Sequence, residues 1–160
     1  GPGPRLLVRQ QRHRRDAARP VTHLTVLLED GRDAGAPQGN PADMPPPRQF
    51  PVVMDRTDAW NRFPNEPVGA VFLRRIKQRV LAFQVICPHA GCYVGYDEAK
   101  RQFYCPCHQA RFALDGKRDS DRCPSPRDLD ALEVELRGGN EVWVKYQTFR
   151  TGTPQKVAQA

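Results

Sequence analysis

Leu132-Glu133-Val134-Glu135-Leu136, Arg137-Gly138-Gly139-Asn140 and Glu141-Val142-Trp143-Val144-Lys145-Tyr146 follow one another without a break. In the first part Leu132, Val134 and Leu136 alternate with Glu133 and Glu135. In the last, Val142, Val144 and Tyr146 alternate with Trp143 and Lys145. That two-residue period belongs to strands with one buried face, and Gly138, Gly139 and Asn140 supply the turn chemistry between them, so a β-hairpin is expected. The same pattern recurs upstream. Phe50 to Met54, Gly69 to Arg74 and Arg79 to Ile86 are rich in β-formers, and Leu81, Phe83 and Val85 alternate with Ala82 and Gln84. Val21 to Leu28 reads as a further strand, ended by the turn residues Glu29-Asp30-Gly31. Thr57 to Asn61 has room for one helical turn before Pro64. No stretch of helical length keeps the 3.6-residue period, and there is no internal repeat. The fold class is therefore all-β, an antiparallel β-sandwich or small barrel.

The chain has 160 residues, about one domain's worth. Twenty-five basic and 18 acidic residues give a net charge of +7, which at first suggests an anionic partner. The excess is local, however. Arg5, Arg9, Arg12, Arg14, Arg15 and Arg19 against Asp16 put +5 into residues 1–20; the remaining 19 basic and 17 acidic residues leave +2 for residues 21–160. A basic arm on a nearly neutral body gives no ground for a nucleic-acid partner. Apolar runs such as Ala70-Val71-Phe72-Leu73 fall far short of the roughly 18 residues needed to span a bilayer. Gly1-Pro2 without an initiator Met reads as a protease scar, so an anchoring segment is expected to have been cut away upstream. The expected organisation is a flexible basic arm over 1–20, an N-terminal strand and Pro/Gly-rich loop over 21–48, a strand-rich domain over 49–148 and a C-terminal tail over 149–160. His13 and His23 are expected to be solvated or satisfied, and Trp60 and Trp143 to be core or edge aromatics.

All five cysteines fall between the strand Arg79 to Ile86 and the hairpin. Cys87-Pro88-His89-Ala90-Gly91-Cys92 is followed, twelve residues on, by Cys105-Pro106-Cys107-His108. If 93–104 fold back as a hairpin around Asp97-Glu98-Ala99-Lys100, the two segments become adjacent loops offering thiolates and imidazoles to one site. Zinc accepts Cys2His2 tetrahedrally. A 2Fe-2S cluster accepts two Cys on one iron and two His on the other. On the residues alone both chemistries remain open.

The segments C-x-H-x-G-C and C-x-C-H closely resemble the two boxes of the Rieske iron-sulfur proteins, in particular the Rieske subunit of bacterial cytochrome bc complexes. The resemblance covers about residues 80–146. It implies a Rieske-type sandwich carrying a cluster-binding subdomain of loops and short strands at about 86–127. It also implies one 2Fe-2S cluster ligated by Cys87, His89, Cys105 and His108, with Cys92 and Cys107 in a disulfide, so that two cysteines a zinc site leaves idle acquire a role. Cys123-Pro124-Ser125-Pro126 falls where the family has its proline loop, which covers the cluster. His89 and His108 would then contact a quinol and accept its proton, passing electrons on to a c-type cytochrome. The chain would be a redox subunit beside cytochrome b-type and c-type partners, not catalytic alone. It would lie on the periplasmic side of a bacterial inner membrane, anchored there in full length; a lasting disulfide suits that oxidising space.

Departures from the family pattern bear on the potential. Where high-potential members carry Gly-Ser-x-Tyr after the second box, this chain has Gln109-Ala110-Arg111-Phe112. Ala110 and Phe112 lack the hydroxyls that stabilise a reduced cluster. A potential in the lower half of the range of roughly −150 to +300 mV is expected, suited to menaquinol. Cys123 stands where the family usually has Gly, so the proline loop should differ locally. Ala90 replaces a larger tip residue of mitochondrial relatives. Three alternatives share some of these residues: a Rieske ferredoxin of an oxygenase, which lacks the bridging cysteines; the Rieske small subunit of an arsenite-oxidase-like enzyme; and a structural zinc-binding module, which would be colourless.

Overall fold

The computed structural model describes residues 9–12, 22–27, 46–76, 79–137 and 141–159. Among them every regular element is a strand: β1 (Arg9–Arg12), β2 (Thr22–Leu27), β3 (Arg48–Asp58), β4 (Asn61–Ile76), β5 (Arg79–Gln84), β6 (Gly95–Asp97), β7 (Gln102–Cys105), β8 (Ala110–Phe112), β9 (Ala131–Leu132), β10 (Val134–Arg137) and β11 (Glu141–Tyr146). They form three sheets with strand orders β1-β2-β11-β10, β3-β4-β5-β9 and β6-β7-β8. All pairings are antiparallel. The expected all-β architecture is thus present. Most of the basic arm, His13, the Pro/Gly-rich loop and the turn Gly138-Gly139-Asn140 lie outside the described residues. The one described part of the arm is not a loose chain: Arg9–Arg12 pair with Thr22–Thr25 along the free edge of β2.

The hairpin read from the alternation is β10 and β11, in the register Val134↔Val144 and Leu136↔Val142. Leu132 does not belong to it. The chain leaves one sheet and enters another at Glu133: Leu132 pairs with Ala82 of the middle sheet, whereas Val134 pairs with β11. Alternation continues straight through this crossover, because Leu132 and the half-buried Val134 pack into the same core, while Leu136 at the end of β10 is exposed.

The middle sheet has a core on each side. Phe50, Val52, Val71, Leu73, Ala82, Leu132, Val142 and Val144 fill the space shared with the first sheet. Ala70, Phe72, Phe83 and Val85 face the third sheet and its loops, together with Val94, Phe103, Phe112 and Leu129. Burial on both faces explains why Ala70-Val71-Phe72-Leu73 carries no polar alternation. It also corrects the half-buried reading of β5, where Ala82 and Gln84 are as buried as Phe83. Gln84 tolerates this because its amide is satisfied: Oε1 accepts from the Val85 amide and Nε2 donates to the Gln147 carbonyl, both at 2.9 Å.

No helical turn forms at Thr57–Asn61. β3 and β4 run on to Asp58↔Asn61 and close over Ala59-Trp60, with Ala59 left-handed at φ 45° and register shifts at Val52/Val53 and Met54/Arg56. Trp60 is a tip residue, 98% exposed. Trp143 is buried, with the Arg137 guanidinium 3.8 Å above its ring.

Candidate cluster site

Two loops rise from the second core. The first leaves β5 through Val85 and is pinched at its base, where Val94 N–H donates to the Val85 carbonyl and Cys87 N–H to the Cys92 carbonyl, both at 2.7 Å. Inside that pinch the Gly91 amide returns to the Cys87 carbonyl at 3.0 Å. The second loop is the Pro106–Gln109 turn between β7 and β8, where Cys105 pairs with Ala110. Gln109 takes the left-handed conformation, φ 62°. β6 and β7 supply the fold-back over 93–104 that the site needs, with Gly95↔Tyr104 and Asp97↔Gln102 in register. Phe103 fixes this small sheet to the body, its ring 4.9 Å from Phe72 and 5.6 Å from Phe83. Beyond β8, Gly116 has φ +87°, and a Cβ there would strike the Phe83 ring at 2.5 Å, so both backbone and packing demand glycine.

The loops are joined by a Cys92–Cys107 disulfide with Cα atoms 6.5 Å apart. Cys87 and Cys105 are free thiols, 1% and 2% exposed, lying against one another. His89 is half-buried and His108 exposed, and their rings meet edge to face with centroids 4.6 Å apart. The site is therefore layered, sulfurs beneath and imidazoles above. Burial pushes the Cys87 thiol up to about 12, and the neighbouring Cys105 adds to this, while backbone hydrogen bonds from His89 and Ala90 act the other way. Amides already aimed at a buried sulfur suit a thiolate whose charge is offset by metal. This donor set, two buried sulfurs under two imidazoles, fits an unsymmetrically ligated two-iron cluster. The Cys92, Cys105 and Cys107 sulfurs also lie within 4.8 Å of one another, but two of them are bonded together and are not thiolates; that trio marks where the disulfide abuts Cys105.

Ala110 and Phe112 are fully buried and Gln109 is exposed, so neither buried position offers a side-chain donor. In the proline loop Pro124 is exposed and Pro126 half-buried, and Ser125 is buried with its hydroxyl donating to the Arg127 carbonyl at 2.7 Å. Cys123 is buried without a positive φ, its thiol 3.6 Å from the Arg111 carbonyl. The loop there adopts a backbone open to any residue.

Sequence reading missed Arg127 and Asp130. Both are buried and joined by two 2.8 Å hydrogen bonds from Nε and Nη2 to the two carboxylate oxygens. A bidentate pair of this kind sets an orientation. The only signal was a pair of opposite charges three residues apart beside Pro126.

A profile of the Rieske [2Fe-2S] domain matches residues 38–139, well over half of the chain. The menaquinol:cytochrome c reductase iron-sulfur subunit of Geobacillus thermodenitrificans is 30% identical over 96 residues, covering 58% of this chain and 56% of its own length. The chloroplastic cytochrome b6-f complex iron-sulfur subunit of Bigelowiella natans is 41% identical over 70 residues, covering 42% of this chain and 27% of its own length. Among solved structures, the cyanobacterial plasma membrane Rieske protein PetC3 from Synechocystis PCC 6803 is 32% identical, covering 49% of this chain and 78% of that one, with a TM-score of 0.41. The chain thus spans about half or less of the length of these curated relatives. It belongs to the Rieske [2Fe-2S] domain family, electron-transfer domains whose cofactor is a two-iron, two-sulfide cluster.

Proposed function

We propose that Cys87 and Cys105 hold the inner iron and His89 and His108 the outer iron, and that the domain takes electrons from a quinol, menaquinol by preference, and delivers them to a c-type cytochrome within a cytochrome bc-type complex. The observation that carries this reading is the layering of the site, with His89 and His108 side by side at its outer edge above two buried cysteines. When bound, the cluster supplies a one-electron couple whose potential is raised by imidazole ligation. The chain's own residues do the rest. The ring nitrogens of His89 and His108 that do not face metal are placed to accept a hydrogen bond from a quinol hydroxyl and to hold its proton. The His89 and Ala90 amides stabilise the Cys87 thiolate, and the Cys92–Cys107 bridge keeps the two histidines together. The bridge also favours the bc branch over an oxygenase ferredoxin.

The likeness to the menaquinol:cytochrome c reductase subunit supports the choice of quinol and partner. An anchor preceding the described domain, on the periplasmic face of a bacterial inner membrane, completes the proposal; among the described residues no helix is long and apolar enough to cross a membrane. Electron paramagnetic resonance of the dithionite-reduced protein tests the ligand set. A rhombic signal with an average g-value below that of all-thiolate ferredoxins is expected, and a colourless protein binding one zinc would overturn it.

A further inference from the structure

Residues 147–159 fold back on the domain as a small hairpin of their own. Arg150 N–H donates to the Val157 carbonyl at 2.8 Å, Gln159 N–H to the Thr148 carbonyl at 2.9 Å, and Phe149 bridges Ala158. The body grips this hairpin at three places. Gln84 holds Gln147 at its start. Lys156 lies 4.5 Å over the Phe149 ring and donates to the Ala131 carbonyl. In the middle, Arg127, whose other nitrogens are taken by Asp130, sends Nη1 to the carbonyls of Thr153 at 2.7 Å and Gln155 at 3.4 Å.

So anchored, the hairpin reaches the first ligand loop. The Gly152 amide donates to the Pro88 carbonyl at 2.8 Å, which fixes the peptide that leads into His89. Gly152 sits at φ +75°, a conformation that favours glycine, and a Cβ there would lie 3.6 Å from the His89 carbonyl oxygen. The Thr151 methyl lies 3.8 Å from where a Gly91 side chain would begin. The disulfide links the first loop to the second. This second route runs from Pro88 through Gly152 and Thr153 to Arg127, and on to Ser125 of the proline loop. Its Gly152 and Thr153 segment lies beyond the residues that match the family profile, which end at 139.

We infer that the C-terminal hairpin 147–159 is a clamp that positions the first ligand loop: by holding Pro88 against the proline loop it sets the orientation of His89 and slows loss of the cluster. This rests on the ligand assignment proposed above, with Gly152 and Arg127 acting as positioning residues. The test compares the full chain with one ending at Thr148, both reconstituted anaerobically. The shortened chain should take up iron and acid-labile sulfide in the same ratio. It should then release them to EDTA at least about tenfold faster, the scale of one lost hydrogen bond, and the nitrogen couplings of one histidine should change in pulsed paramagnetic resonance of the reduced protein. Release at the full chain's rate together with unchanged couplings overturns the clamp.

Should the shortened chain not fold, hydrogen exchange on the full chain decides. Loading the cluster should slow exchange of the Gly152 amide by about tenfold relative to the cluster-free chain, because the two sites are linked; equal rates overturn the inference. A full chain that takes up neither iron nor sulfide overturns the ligand assignment and the clamp with it. One that takes them up while failing the release and coupling comparison overturns the clamp alone.

Discussion

The two cores on either side of the middle sheet are built differently. Below it, eight buried side chains from β3, β4, β5, β9 and β11 interlock, and no single one of them decides the arrangement. Above it, Phe72, Phe83, Phe103 and Phe112 anchor the small sheet, but the chemically important residues stand in loops held by a disulfide, a few amide hydrogen bonds and the left-handed residues Gly91 and Gln109. The lower region spreads its stability over many contacts. The upper region concentrates geometry in a few. Fold stability and site integrity should therefore separate under mutation.

The most severe break is Cys105→Ser. It should abolish iron and sulfide uptake while leaving the β-sheet circular dichroism of the body in place; loss of both together would mean that the site and the body fold as one. Next comes the lower core. Leu73→Ala removes a buried side chain between the two large sheets, and cavity formation of this kind costs roughly 2–5 kcal/mol. Denaturant unfolding should show that loss while the paramagnetic signature of the intact fraction stays unchanged. The double variant Cys92→Ser/Cys107→Ser should do the reverse. Opening the disulfide frees the two loops from one another, and the effect should fall on the rate of cluster loss far more than on unfolding of the body. Equal effects on both would erase the distinction. The finest adjustment is Phe112→Tyr, or Ala110→Ser, which gives the second loop a hydroxyl. Protein-film voltammetry should show the midpoint moving up by tens of millivolts, since 59 mV for one electron is roughly 1.4 kcal/mol, within the scale of a donor to a charged acceptor. A midpoint already near +300 mV before mutation would contradict the low-potential reading.

Legibility followed the same division. The hairpin Val134–Tyr146 was readable because apolar and polar residues alternate in it around a Gly-Gly-Asn turn, although Trp143, on the face read as polar, is buried under Arg137, and Leu136, on the face read as apolar, is exposed. The sheet crossover at Glu133 was not, since a strand that changes partners keeps its period. Gln84 looked like a solvent-facing residue because a sequence shows polarity but not the carbonyl of Gln147 that satisfies it. The residues proposed as ligands were visible as a spacing of thiols and imidazoles, and the structure brings His89 beside His108 and Cys87 beside Cys105. Their support was largely hidden. Arg127 and Asp130 resemble any surface pair in the sequence, and the residues 147–159 that meet Pro88 carry no period or motif; only long-range backbone hydrogen bonds reveal them.

Along β4, neighbouring residues serve opposite compartments: Val71 and Leu73 belong below, Ala70 and Phe72 above. A single inserted residue in this stretch would exchange the two sets at once, driving the large ring into the lower space and the small branched chains under the cysteine- and histidine-bearing loops, with no slack on either side to absorb it. At the Ala59-Trp60 tip the same insertion would merely lengthen a projecting arm. Length variation among natural versions of this chain should accordingly gather at the tip and be absent from residues 70–73.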